Sequence, residues 1–430
     1  MAERRLLIVE VAGLGHDLVA REAGEEWLGL TVRRAEGIFP ALTCPYQATF
    51  RTAAPPARHG VVFNGVFDRR LRRAFFWDQS SAVVEGSRIW EGLRSAGKRV
   101  GMVFWQQSLG ESVDLLLSPA PIHKHHGGMI DAVYSRPPRL YEELVRRLGR
   151  RFKLSSYWGP LASRASSEWI AAATAAVVAD RELAPDLLLT YLPHLDYALL
   201  RHGPSGRHAS RAFGELTAMV EGLIEAARAN GLEVLVVGDY AFEDVRRVVF
   251  PNRLLRREGL LAVRQVGRRL YPDFHYSRAL AIVDHEVAHV YLREPSDVGP
   301  VAGLFRGADG IAEVLTGEEL VGRGIGHPNC GEIVLVAQEG CWFAYPWWER
   351  GGEQPDYATH VDIHNKPGFD PCELFFGWPP LTVSTNPDKV RGSHGRLRPV
   401  AWVSTLDLDP PGPGLLDLAV AVKNLLADEK

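Results

Sequence analysis

Long hydrophobic runs are missing from this 430-residue chain. Residues 6–11 are too few for the core of a signal peptide or a membrane-spanning helix. They read as a first buried strand, so the expectation is a cytoplasmic protein with no membrane partner. Cysteine is scarce: Cys44, Cys330, Cys341 and Cys372 are scattered, without the pairing of a zinc knuckle or the density of a disulfide scaffold. A strong net charge is absent too, the formal value being −3. A nucleic-acid polymer would call for a basic face, so none is expected as partner. Repeats and low-complexity tracts are lacking as well.

Hydrophobic residues make up 46% and charged residues 23% of the chain, the balance of a soluble globular protein. Three apolar runs end in acidic residues: 6–10 at Glu10, 186–196 at Asp196 and 233–239 at Asp239. Continuous runs of this kind suit strands covered on both faces by helices. Amphipathic stretches at 87–96, 139–151, 166–180 and 207–230 lie between them. The alternation predicts an α/β fold, a mostly parallel central sheet sandwiched by helices. Ligands of such sheets bind beyond the carboxyl ends of the strands, the edge where Glu10, Asp196 and Asp239 fall. From about 246 to 326 the alternation breaks, apart from a strand over 279–292. An inserted cap subdomain at 246–326 is therefore expected between core segments 1–245 and 327–430. Residues 331–337 read as a returning core strand, and 415–427 as a final helix outside the core.

Residues 39–50 hold the sharpest local pattern. Pro45 suits the first turn of a helix, where its missing N–H costs nothing. Thr43 then stands at the helix entrance, where unpaired N–H groups and the dipole favour an anion. A hydroxyl there can attack phosphorus if a metal depresses its pKa; it can equally cap the helix. Cys44 offers a thiol one residue on.

Pro40-Ala-Leu-Thr-Cys-Pro45, then Pro55-Pro-Ala-Arg-His-Gly60, then Asn64 resemble the nucleophile signature of the nucleotide pyrophosphatase/type I phosphodiesterase family. That family belongs to the alkaline phosphatase superfamily, and the branch resembled is that of its phosphonoacetate hydrolase-like bacterial members. The resemblance implies an alkaline phosphatase-like core in which Thr43 is the nucleophile and forms a covalent phospho-Thr. It also implies that Asn64 and the backbone N–H of Cys44 hold a non-bridging phosphoryl oxygen, since such transfers need donors fixed where charge develops.

The resemblance continues with altered metal ligands. Glu10 takes the place of the Asp that ends the family's first strand. Asp196 is kept, while Leu200 stands where the family has His. Asp239-Tyr-Ala241 replaces Asp-His-Gly, and Ser393-His-Gly395 supplies His394. By resemblance, Glu10, Thr43, Asp196, Asp239 and His394 hold a divalent metal, one or two ions. Loss of two imidazoles shifts the preference from zinc toward manganese or magnesium. In an extended segment His194 points the same way as Asp196, so it can replace the missing imidazole or be a plain strand-end residue; His202 is the second candidate. His16 either approaches Glu10 or starts a helix. Tyr240 can donate to a metal-bound oxygen or simply pack.

Other polar groups leave two readings each. His123 and His125, in the loop 119–128, contact substrate or metal, or form a surface loop. His360, Asp362 and His364 alternate on one face, as a ligand source or a polar loop. Lys366 and Arg391 are candidate substrate anchors. Trp105, Trp342, Trp347 and Trp348 stack on a base or belong to the core. Residues 284–289 lack the His-Glu-x-x-His spacing of a zinc protease helix and lie in a strand-like run. The expected function is metal-dependent hydrolysis of a small phosphodiester, phosphoanhydride or phosphonate, the partner being a small anionic phosphorus-containing substrate. A homo-oligomer is compatible with this. The alternatives are a degenerate member that binds an anionic ligand without turnover, or another chemistry on the same scaffold.

Overall fold

The computed structural model describes residues 5–126, 128–360, 374–376 and 382–427. Eight strands form the main sheet: β1 (Arg5–Val11), β2 (Arg33–Ala35), β3 (Val100–Val103), β4 (Leu115–Pro119), β5 (Val133–Arg136), β6 (Leu187–Leu192), β7 (Leu232–Gly238) and, late in the chain, Val400–Ser404. Their order is β5-β4-β3-β6-β1-β7, then Val400–Ser404, then β2. The five central strands β4, β3, β6, β1 and β7 run parallel; the outer pairings are antiparallel.

Burial on both faces explains the unbroken apolar runs. Leu7, Val9 and Val11 pack with the helices Arg164–Val178 and Arg207–Ala229, while Leu6 and Ile8 pack with Thr43–Thr52 and Leu415–Ala427. The period of two puts Glu10 on the second face, toward Thr43–Thr52. A polar residue ending an even-numbered apolar row is thereby aimed at the helix that carries Thr43. The final helix lies against Thr43–Thr52, outside the sheet.

A second, antiparallel sheet holds Ala279–Asp284, Val287–Leu292, Ile333–Ala337 and Ile311–Thr316, in that order. Two sequence expectations change here. The stretch 279–292 is not one strand but a hairpin that reverses at 284–287; no Gly or Pro marks the reversal. Ile333–Ala337 is not a returning core strand, because it pairs with Val287–Leu292 and Ile311–Thr316. An apolar run reports burial, and burial alone does not say in which sheet.

Two histidines tie residues 49–62 together and to this second sheet. His59 bonds Thr49 Oγ1 at 2.9 Å, and His289 bonds the Val62 carbonyl at 3.1 Å. Burial lowers His59 from 6.5 to about 3 and His289 to about 4. Below pH 6.5 the unfolded chain therefore takes up protons that the folded chain refuses. Their contribution to stability is full above pH 6.5 and falls as the pH drops toward 4, by about 2 kcal/mol per histidine between pH 7 and pH 5. Urea denaturation of the wild type beside His289→Gln at those two pH values checks this; a stability difference that is the same at both would contradict it.

Candidate active site

Thr43 is the first residue of its helix, and Leu42, in extended conformation, precedes it. No side chain caps this helix, so the Thr43 hydroxyl does not cap. It donates instead to the Tyr240 phenol at 3.4 Å, long for such a bond. Tyr240 Oη in turn donates to Asp196 Oδ1 at 3.0 Å. Residues from three distant segments thus form one chain, from hydroxyl through phenol to carboxylate. Burial, with Asp196 and Asp239 nearby, pushes the Tyr240 phenol well up. Burial also lifts the Asp196 carboxyl, against the opposing pull of His285, the Tyr240 hydrogen bond and Arg201. A lifted carboxylate is a better proton acceptor.

His394 closes this side. Its ring lies flat on Tyr240, centroids 3.6 Å apart and planes at 4°. Nδ1 is bonded to the Ala41 carbonyl at 2.9 Å, and Nε2 is 3.8 Å from Asp196 Oδ1. Burial, then the neighbouring His285, drives its pKa well down, so the ring is neutral.

Glu10 and Asp239 lie deeper, at the ends of the adjacent strands β1 and β7. Asp239 Oδ1 accepts the N–H groups of Gly13 (3.0 Å) and Tyr240 (2.8 Å). Gly13 adopts φ 74° to turn its N–H there, a conformation suited to glycine. Glu10 lies against Asp239 and Gln47, yet Glu10 Oε1 and Oε2 and Asp239 Oδ2 are buried without a well-formed hydrogen bond. Burial raises both carboxyls well above their ordinary values, and Asp239 adds to the effect on Glu10. A buried carboxyl pair with unmet oxygens takes up a proton or a cation.

Asn64 is set by three bonds. Its Oδ1 accepts the Cys44 N–H at 2.9 Å; its N–H donates to Asp284 Oδ2 at 2.8 Å and its Nδ2 to Asp284 Oδ1 at 3.2 Å. The Cys44 amide is therefore spent on orienting Asn64 and does not itself face a ligand, and the thiol is buried among Ala48, Val61 and Val84.

Thr43, Asn64, Asp196, Tyr240 and His394 line one cavity of about 120 Å³. Trp77, Tyr157, Trp158, Tyr191, Tyr197, Leu200 and Phe375 give it aromatic and apolar walls, and Arg201 is a cation on its lining. Arg201 and His285 are lining residues that sequence reasoning missed. The signal for His285 was a polar triplet, 284–286, breaking an apolar run; for Arg201 it was a place on the same helix as Asp196.

Several candidates stand elsewhere. His194–His202 is a helix, so His194 and Asp196 are about 200° apart on it. His194 Nε2 bonds Glu215 at 3.0 Å instead. His202 stacks on His208, and His16 opens a helix. His123 and His125 are exposed on the small hairpin formed by Ile122–His123 and Met129–Ile130 and do not line the cavity. Arg391 bonds the Asp388 and Val390 carbonyls. Trp105, Trp342, Trp347 and Trp348 are core residues. Lys366, Asp362 and His364 lie outside the described residues.

One buried ion network locks the second sheet to this site. Glu286, fully buried, is paired with Arg398 at 2.8 Å and accepts the Arg396 N–H at 3.0 Å, and Glu243 also reaches Arg398. Glu286→Ala leaves the Arg398 guanidinium half-paired. A stability loss of about 3 kcal/mol is expected, read as a lower urea midpoint; a change under about 0.5 kcal/mol would contradict it.

Among the described residues no three or more His, Cys, Asp or Glu side chains are grouped to hold a metal ion. The carboxyl pair Glu10–Asp239, with its unmet oxygens, fits one oxygen-preferring cation. Beside Asp196 and His394, Leu200 adds no donor and Tyr240 bonds Asp196 at 3.0 Å, while the His285 ring lies 4.0 Å from that of His394. No helix among the described residues is long and apolar enough to cross a membrane.

The type I phosphodiesterase/nucleotide pyrophosphatase family model matches residues 28–370. No curated protein sequence matches. Among solved structures, phosphonoacetate hydrolase from Sinorhizobium meliloti 1021 is 17% identical, with TM-score 0.62, covering 100% of this chain and 97% of its own. Murine ectonucleotide pyrophosphatase/phosphodiesterase 5 is 17% identical, with TM-score 0.61, covering 98% and 95%. The human counterpart is 15% identical at the same TM-score and coverage. At such identities the likeness is one of fold.

Proposed function

The chain belongs to the type I phosphodiesterase/nucleotide pyrophosphatase family, and from that membership we propose that it hydrolyses a small phosphodiester, phosphoanhydride or phosphonate, with Thr43 as nucleophile. The observation that carries the reading is the bonded chain Thr43–Tyr240–Asp196 opening on the same cavity as Asn64. Thr43 Oγ1 forms a bond to phosphorus as the bond from phosphorus to the leaving oxygen, or to carbon in a phosphonate, breaks, and the leaving group takes a proton from solvent. The Thr43 proton passes to the phenol oxygen, and the phenol proton passes to Asp196 Oδ1. The Asn64 side-chain amide, held by Cys44 and Asp284, donates to a non-bridging oxygen where charge builds up. Arg201 steadies the anion, and the aromatic walls take the organic part of the ester.

Glu10 and Asp239, with the Thr43 hydroxyl, would hold one divalent cation, magnesium or manganese by donor type. Such an ion supplies positive charge that eases ionisation of the hydroxyl and offsets the phosphoryl charge. The second reading, an anion-binding protein without turnover, is favoured by Tyr240 and Leu200 standing in place of two imidazoles.

Chelator-treated protein resupplied with magnesium, manganese or zinc, assayed on bis(p-nitrophenyl) phosphate and p-nitrophenyl phosphate, separates the two. Turnover is expected with magnesium or manganese, and Glu10→Gln should lower it by about 100-fold or more. Tight binding of inorganic phosphate with no turnover under any ion would favour the second reading.

A further inference from the structure

We infer that the anion Arg201 steadies is a second one, a phosphate or carboxylate on another part of the substrate, so that Arg201 selects small substrates with an oxyanion at each end. This rests on the reading of Thr43 and Asn64 as the phosphoryl end of the cavity. Asp196 and Arg201 share the helix His194–His202. A rise of about 1.5 Å per residue sets Arg201 about 7.5 Å further along its axis than Asp196. The bonds of Thr43 and Asn64 run to Tyr240, Cys44 and Asp284, and none runs to Arg201. The cation therefore stands apart from the reacting end.

The helix turns one face to the cavity, lining it with Asp196, Tyr197, Leu200 and Arg201, neighbours at the i, i+4 spacing. Among the described residues of the lining, Arg201 is the sole arginine or lysine. It is half-buried. One nitrogen, Nη2, donates to the Pro160 carbonyl at 2.8 Å and to that of Gly159 at 3.4 Å. Tyr197 Oη donates to the Tyr157 carbonyl at 2.9 Å. Two bonds thus pin the segment 157–160 to the helix, and the same segment holds the guanidinium in place. Nε and Nη1 make no hydrogen bond among the described residues, and no carboxylate there pairs with the guanidinium.

A half-buried cation without a counter-ion costs free energy that a bound anion recovers. Bonds from a guanidinium to an oxyanion are short and strong, and two of the three nitrogens remain for them. A side chain already held by its third nitrogen loses little freedom when it binds. A clamp for 157–160 needs the Nη2 bond alone, without a charge. Charge and open donors on the wall of the cavity fit a ligand that brings its own negative group to that place.

The test is titration calorimetry of the full chain, with magnesium in excess, against probes that share a phosphonate and a two-carbon chain. Ethylphosphonate ends there, phosphonopropionate adds a carboxylate at the far end, and ethylenediphosphonate adds a second phosphonate. The wild type should bind at least one of the two-anion probes about 10- to 100-fold tighter than ethylphosphonate; the tighter one names the second group. Arg201→Gln should abolish that preference and leave ethylphosphonate within about 3-fold, which also shows that the cavity has formed. Arg201→Lys, which keeps the charge, should retain part of the preference. No preference in the wild type would overturn the inference. So would an equal loss for all probes in both variants, the result expected of a mere clamp or of a charge that serves Asp196. Turnover of bis(p-nitrophenyl) phosphate decides the hydrolytic reading separately: a preference that depends on Arg201 in a protein without turnover would overturn that reading alone.

Discussion

Thr43→Ala is expected to abolish phosphodiester turnover, lowering kcat/KM by about 10⁴-fold or more, while the protein still folds and binds phosphate. The size follows from the role: without the hydroxyl no covalent step is open, and the other groups only hold the substrate. Folding survives because this side chain caps no helix end and makes one long hydrogen bond, to Tyr240. Leu42 and Tyr46 keep the helix start through their backbones. A stability change under about 1 kcal/mol is expected, measured by urea denaturation beside the kinetic assay. Turnover within about 10-fold of wild type would remove Thr43 from the chemistry.

Tyr240→Phe should lower kcat by about 100- to 1,000-fold with little change in phosphate affinity. The ring stays, and with it the face that packs on His394 and Phe242. The phenol oxygen alone is lost, and it is the link between Thr43 and Asp196. Asp196→Asn should match this loss, and the double variant should lose little more, because the two act in one path. Full additivity of the two losses would mean that the proton leaves Thr43 by separate routes. An unchanged kcat in Tyr240→Phe would show that the phenol only packs.

Much of the fold was legible in the chain itself. The runs ending at Glu10 and Asp239 are adjacent parallel strands, and the stretches at 166–180 and 207–230 are helices that cover one face of the sheet. The segment 39–50 holds a helix beginning at Thr43, as the placing of Pro45 predicts. Ligand geometry was harder to read. His194 and Asp196 look alike in an extended register, but the strand ends at Leu192 and the helical turn that follows separates them. Cys44 offers an amide by position, yet Asn64 takes it. His285 was hard to place because a hairpin without Gly or Pro reads as one strand, and only the polar triplet 284–286 interrupts it. Ile333–Ala337 shows the same limit: hydrophobic pattern reports that a strand is covered, whereas its pairing depends on strands from other parts of the chain.

The most direct test follows the configuration at phosphorus, using a phosphorothioate diester of one configuration at phosphorus, with an oxygen isotope at its non-bridging oxygen, hydrolysed to the thiophosphate monoester in water of a different oxygen isotope. Each in-line displacement inverts phosphorus, so attack by Thr43 followed by attack of water predicts net retention. Net inversion would mean that water attacks the substrate directly, and Thr43 would then not be the nucleophile.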